Sequence, residues 1–323
     1  MRFHAVLLSL ACFFVASATG VPAAEGALAQ AQQLFNAQKY RETIALLDPY
    51  IAAHPRDARA LVLRGDAKAE LDDNQGALAD YNVAIDAAPD YAYAYRTRCE
   101  TRLQLDDEDG ALSDCNAAIK LDPTDGRAFE DRADVYFEVE AYRQSLADYD
   151  SAESLGVSSA YLYGARCDAS RMNGLLDRAA ADCAKALLLD PHKMTAVWAN
   201  GRLALVTGRF SDALKYWNDY VAREPDSINA RYWRAAALDR TGNPKAALDD
   251  LNAYIAKRPG DGDGFRERAF ARAASSDAAG ALADLQQAAV LYRHDGTYDK
   301  VDGLDAFAKA IQAKTALPPL PAP

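Results

Sequence analysis

Positive charge is the first thing this sequence is short of. Lysine and arginine total 36 against 47 aspartates and glutamates, a formal net charge of −11 over 323 residues. Such a chain lacks the basic stripe that neutralises phosphates, which argues against a nucleic-acid partner. Catalytic and cofactor signatures are missing too: there is no Walker loop, no GxGxxG, no GxSxG and no HExxH. Asp261-Gly262-Asp263-Gly264 begins like a calcium loop, but its twelfth position is Arg272, where a glutamate is needed. No nucleophile–base pair, metal set or cofactor is expected, and the chain reads as a non-enzyme. Beyond residue 18 no apolar run is long enough to span a bilayer.

What is there begins with a leader. Arg2 supplies a positive start, residues 5–18 form an apolar run of 14, and small residues follow. This is a secretory signal pattern, with cleavage expected after Ala18 or Ala23. Cys12 lies inside the apolar run with Ser9 three residues before it, which is not a lipobox. The reading is an exported protein, periplasmic or secreted, in a compartment where disulfides persist.

The rest of the chain repeats. Prolines stand at 55, 89, 123, 191, 225 and 259, spaced by 34 or, across Val157, by twice 34. With proline as position 32, repeats begin at residues 24, 58, 92, 126, 160, 194, 228 and 262. Position 8 is small throughout (Ala31, Gly65, Cys99, Ala133, Cys167, Gly201, Ala235, Ala269), and position 20 is Ala, Ser or Thr. Position 27 is Ala or Tyr. Apolar residues between them have helical spacing, and proline falls where a second helix must stop. A fixed period of this length marks a stacked-repeat architecture.

Small residues at 8 and 20, Ala at 27 and Pro at 32 resemble the tetratricopeptide repeat family. The resemblance implies an all-α, right-handed α-solenoid of about eight helix hairpins over 24–295. The first helix of each repeat would line a concave face. Val301, Leu304, Phe307, Ala308 and Ile311 make an amphipathic stripe, so 296–315 is expected to cap the stack. Residues 316–323 are a Pro-rich tail.

Two columns vary together. Arg at position 7 and Asp at position 23 occur in the same six repeats and vanish together from repeats 1 and 6. A hairpin turning near position 15 makes these positions face each other. Six structural ion pairs follow as expectations: Arg64–Asp80, Arg98–Asp114, Arg132–Asp148, Arg166–Asp182, Arg234–Asp250 and Arg268–Asp284.

The cysteines obey the same frame. Cys99 and Cys167 hold position 8, and Cys115 and Cys183 hold position 24. Elsewhere these facing positions are Gly65 with Tyr81, Ala133 with Tyr149, and Gly201 with Trp217, so the columns trade volume. Any pairing across repeats would exceed disulfide reach. That leaves Cys99–Cys115 and Cys167–Cys183. Zinc is not expected, since no CxxC occurs and His54, His192 and His294 fall near inter-repeat turns.

On the concave face of repeats 2–5, Asp66, Glu70, Glu100, Glu130, Asp131, Asp134, Glu138 and Asp168 outweigh Arg59, Arg96, Arg127 and Arg171 by four. Repeats 6 and 7 place Trp198, Tyr232 and Trp233 there. The expectation is an acidic groove beside an exposed aromatic patch, suited to a protein or peptide with basic or aromatic segments. Position 5 has no Lys, and position 9 is acidic in repeats 2–5, so the Lys/Asn clamp that some family members close on a peptide's terminal carboxylate is not reproduced. Two roles remain open: an exported scaffold in the cell envelope, or an accessory subunit of an envelope enzyme, secretion or cell-wall complex.

Overall fold

The computed structural model describes residues 23–315, with 318 and 320. Residues 1–22, including Cys12, and most of the Pro-rich tail lie outside the described residues. Among the described residues there are seventeen helices and no strand.

The helices come in hairpins. In a first compact unit, ending at Leu121, α1 (Ala23–Asn36) pairs with α2 (Tyr40–Ala53), α3 (Ala58–Ala69) with α4 (Asn74–Ala87), and α5 (Ala92–Gln104) with α6 (Glu108–Leu121). A second unit starts at Asp122. There α7 (Gly126–Glu138) pairs with α8 (Tyr142–Ser154), α9 (Ala160–Met172) with α10 (Leu176–Leu189), and α11 (Met194–Val206) with α12 (Phe210–Arg223). Next come α13 (Ile228–Arg240) with α14 (Pro244–Lys257), and α15 (Gly262–Ala274) with α16 (Ala278–His294). The last helix, α17 (Tyr298–Ala313), lies on α16 and buries Val301, Leu304, Phe307 and Ile311.

Local chemistry sets the hairpins. Each first helix ends with position 15 in the left-handed region: Gln38, Asp72, Asp106, Glu140, Gly174, Gly208, Gly242 and Ser276 all have positive φ. The following amide then reaches back to the carbonyl five residues earlier, at 2.7–3.0 Å in all eight repeats, from Lys39 to Leu34 through Asp277 to Arg272. This is a Schellman closure, and it turns the chain at a fixed angle. Position 34 often caps the next helix: Asp57, Asp125, Ser159, Ser227 and Asp261 each accept from a backbone N–H of the first turn.

The small columns make close contact possible. Every residue at position 20 is fully buried. A methyl on Gly65 would meet Tyr81 Cε1 at 2.5 Å, and one on Gly201 would meet Trp217 Cε2 at 2.7 Å. Where the facing pair is cysteine, the sulfurs of Cys99 and Cys115 lie at disulfide distance with Cα atoms 5.5 Å apart. Those of Cys167 and Cys183 do likewise at 5.3 Å. All four cysteines are buried.

Each position-7 arginine forks onto its position-23 aspartate. Arg64 Nε and Nη2 donate to Asp80 at 2.9 and 2.6 Å. Arg98–Asp114, Arg132–Asp148, Arg166–Asp182, Arg234–Asp250 and Arg268–Asp284 repeat this fork at 2.6–2.9 Å. The third guanidinium nitrogen often reaches position 25 of the preceding repeat: Asp48 from Arg64, Asn82 from Arg98, Asp150 from Arg166 and Asn252 from Arg268. One arginine thus ties three helices. In repeat 6, Asn200 takes that role by donating to the Cys183 carbonyl at 3.0 Å.

Candidate functional site: a cationic aromatic recess

The first unit contributes half-buried Arg96, whose guanidinium lies over the Tyr93 ring at 4.8 Å, and exposed Glu100. The neighbouring Asp66 accepts from the Tyr81 and Tyr93 hydroxyls at 2.8 and 2.9 Å. Burial raises its pKa to about 6, against the pull of those two hydroxyls.

In the second unit the expected acidic face is largely occupied by the fold. Asp134 accepts from the Tyr149 and Tyr161 hydroxyls, the latter at 2.7 Å, as Asp66 does from Tyr81 and Tyr93. Asp168 is half-buried and bound by Arg171 at 2.7 Å. Arg127 and Glu138 are exposed, and Asp131 is half-buried. Glu130 corrects the expectation outright: it is 5% exposed, within electrostatic reach of Tyr149 and Tyr161. Helical spacing put it on the open face, but the packed repeats bury it there.

Tyr232 is a second correction. It is 5% exposed, wedged between Trp233 and Tyr254 at centroid distances of 4.8 and 4.9 Å. It is core, not an exposed anchor. Trp198 and Trp233 are half-buried, with one side of each committed to Trp217, at 5.0 and 6.3 Å.

Their other sides border a recess of about 440 Å³. Trp198 and Arg202 are four apart on α11, Asn229 and Trp233 four apart on α13, and Asp263 and Arg266 three apart on α15; each pair shares one helix face. Lys300 on α17 completes that side, and Arg258 and Asp261 reach in from the connection before α15.

The lining is positive, contrary to the acidic surface the composition suggested. Four cations, Arg202, Arg258, Arg266 and Lys300, face two carboxylates, Asp261 and Asp263. Part of this charge is spent internally. Asp263 accepts from Arg266 at 2.8 Å, Lys300 at 3.0 Å and the Tyr292 hydroxyl at 2.6 Å. Burial would raise its pKa, but those partners hold it below the usual carboxylate value. Arg266 also faces Glu267, which is 1% exposed and bound by Arg240 at 3.0 Å.

Arg202 differs. Its guanidinium lies over the Trp233 ring, with Cζ 3.9 Å from the centroid. Among the described residues no carboxylate is in ion-pair range of it. Burial pushes its pKa down to about 10; Arg171 adds to that and Asp168 opposes it. Arg258 lies over Tyr254 at 5.8 Å and is likewise without a carboxylate partner among the described residues.

The family profile for the tetratricopeptide repeat matches residues 28–92 and 199–262. Those two stretches match the tetratricopeptide repeat, and the hairpins around them keep the same period. Among solved structures, this repeat protein is similar to a chain of the APC/C hetero-tetramer Cut9–Hcn1, at 14% identity and a TM-score of 0.69. That alignment covers 88% of the present chain and 55% of the other, so the repeat protein spans about half of that relative's length. A tetratricopeptide repeat protein from Parabacteroides merdae matches at 15% identity and TM-score 0.54, covering 76% and 98%. Pseudomonas aeruginosa pilF matches at 14% identity and TM-score 0.56, covering 66% and 97%. At these identities the likeness establishes the fold. No curated protein sequence matches. No group of residues fit to hold a metal occurs among the described residues.

Proposed function

We propose that this repeat protein is an exported, non-catalytic scaffold in the cell envelope, and that the recess of its second unit receives a segment of a partner protein. The observation that carries the reading is the lining: two half-buried tryptophans and an unpaired arginine on one aligned face of α11, α13 and α15. Large aromatics and arginine in a partly desolvated concavity are the residue types that concentrate binding energy. The hairpins that begin with α13 and α15 are each pinned by a forked ion pair, and α11 is tied to the preceding repeat by Asn200, so the face is braced before any partner arrives. Export is supported by the leader pattern and by two buried cysteine pairs at disulfide distance, which need an oxidising compartment.

The test is site-specific photocrosslinking in the native compartment. A photoreactive side chain replaces Asn229 in the recess, and separately Lys215, which is 77% exposed on α12. Position 229 should give adducts of one defined protein by mass spectrometry, and position 215 should not. Equal adducts from both positions, or none from 229, would sink the reading. N-terminal sequencing of the mature chain checks export, and a retained Met1 would refute it.

A further inference from the structure

We infer that the recess selects an acidic segment, one presenting two neighbouring carboxylate side chains, in which one carboxylate seats on Arg202 between Trp198 and Trp233 and the other meets Arg258. This deepens the proposed function and rests on the recess being the partner surface.

The chain's net charge of −11 points the other way, toward basic partners. The local inventory decides differently. Of the four cations lining the recess, Arg266 and Lys300 are already bound by Asp263, and Glu267 adds a second carboxylate to Arg266. An incoming basic side chain would meet these neutralised pairs and two unneutralised guanidinium groups, so it would be repelled. An incoming carboxylate finds Arg202 and Arg258 held against aromatic rings but, among the described residues, without a carboxylate in ion-pair range.

Arg202 is also poised. Contact with the Trp233 ring holds its guanidinium in place, so less side-chain entropy remains to be lost when an anion binds. Its burial penalises the bare charge, and a carboxylate would relieve that penalty. A half-buried cation without a counter-charge is otherwise a cost to the fold. The remaining polar groups nearby do not supply one: Asp168 is held by Arg171, and Asp261 accepts from Tyr254 and caps α15. The flanking indoles of Trp198 and Trp233 give the methylene groups of a glutamate an apolar wall.

Two guanidinium groups without a carboxylate partner call for two anionic groups. That favours adjacent acidic side chains over a single chain-terminal carboxylate. It also differs from the Lys/Asn pattern for a terminal carboxylate, since positions 5 and 9 here are Trp198 and Arg202.

The experiment uses the full mature chain and capped peptides of alternating Gly and Glu, with Gln and Lys counterparts of equal length. A fourth peptide has the Gln sequence with a free C-terminal carboxylate. Tryptophan fluorescence reports occupancy, since Trp198 and Trp233 border the recess. The Glu peptide should bind at least about tenfold more tightly than the other three, a ratio set by a single well-placed charge contact. Rising salt should weaken it. Arg202→Gln should lose that preference, while Arg202→Lys retains part of it and both variants melt with the parent. Equal or tighter binding of the Lys peptide would overturn the acidic assignment while leaving the recess as a binding surface. Preference for the free-carboxylate peptide would overturn the two-carboxylate reading. No fluorescence response to any of the four would overturn both this inference and the recess as the partner surface.

Discussion

Gly201 and Trp217 give a test of how the repeat's facing columns share volume. Gly201 lies inside α11, where alanine would ordinarily stabilise a helix by about 1 kcal/mol. Here the added methyl would come within 2.7 Å of Trp217 Cε2 and 2.8 Å of Cζ2. Trp217 is fully buried, with Trp198 edge-on at 5.0 Å, so the indole has nowhere to retreat. Overpacking of this kind costs about 1–3 kcal/mol. Gly303, inside α17 with nothing within 4 Å of the same methyl, isolates the propensity gain. Gly303→Ala should therefore raise stability by up to about 1 kcal/mol. Gly201→Ala should fall below Gly303→Ala by the full packing cost. The decisive variant pairs Gly201→Ala with Trp217→Phe. Phenylalanine suits better than tyrosine, because a tyrosine hydroxyl at position 24 bonds an aspartate at position 9 in repeats 2 and 4, and repeat 6 has Arg202 there. Trp217→Phe alone leaves a cavity, and the alanine methyl partly fills it. Urea unfolding followed by circular dichroism should show the double variant about 1–3 kcal/mol more stable than the sum of the singles. Additivity within about 0.5 kcal/mol would refute the claim that the two columns share one space.

The remaining predictions are shorter. Arg234→Met strands Asp250, whose side chain is 4% exposed and has no other cation partner among the described residues; it should cost about 3–5 kcal/mol in urea titrations. Arg64→Met should cost clearly less, because Lys68 still holds Asp80 at 2.8 Å; equal losses would contradict this. Burial raises Asp66, and separately Asp239, from 3.8 to about 6. Between about pH 4 and 6 the folded chain keeps protons the unfolded chain has released, so stability falls as pH rises through that window, by at most about 3 kcal/mol per group. Asp66→Asn should remove roughly half of that slope, and an unchanged slope would count against the burial argument. Glu140→Gly relieves a non-glycine residue at φ 59°, a position held by Gly174, Gly208 and Gly242 in other repeats, and should gain about 0.5–1 kcal/mol; a loss would refute it. Non-reducing mass analysis of the mature chain should find two disulfides, each contributing roughly 3 kcal/mol against reduction, and four free thiols would overturn the pairing.

Much of the architecture was legible because the period was. Proline at 32 and small residues at 8 and 20 locate each hairpin to within a residue, and the joint presence of arginine at 7 and aspartate at 23 marks which side chains meet. The turn was legible too, though by a weaker signal: glycine at position 15 occurs only in Gly174, Gly208 and Gly242, while five other residues adopt the same left-handed backbone. The reach of arginine to position 25 of the preceding repeat was missed, although Asp48, Asn82, Asp150 and Asn252 already share that column. The site was read less well. Counting charges on a helix face treats every carboxylate as free, whereas Asp134 is bound by two tyrosines, Asp168 by an arginine, and Glu130 is covered. The sign of the recess depends on which charges are cancelled locally, and that is a matter of distances of a few ångströms between different helices.

Position 9 connects these threads. Where position 24 is tyrosine, position 9 is aspartate, Asp66 or Asp134, and the next repeat supplies a second tyrosine, Tyr93 or Tyr161. Each carboxylate thereby joins its own hairpin to the next. Where position 24 is cysteine, position 9 is Glu100 or Asp168, and the covalent pair at 8 and 24 holds the hairpin instead. The two arrangements alternate through repeats 2–5, and Asp66 and Asp134 there serve the stack. In repeat 6 the facing residue becomes Trp217, which offers no hydroxyl to an acceptor, and position 9 becomes Arg202. An arginine there has no structural partner to satisfy, and it turns instead onto Trp233 and into the recess. The same column that secures the early repeats is thus released, at repeat 6, to line the recess.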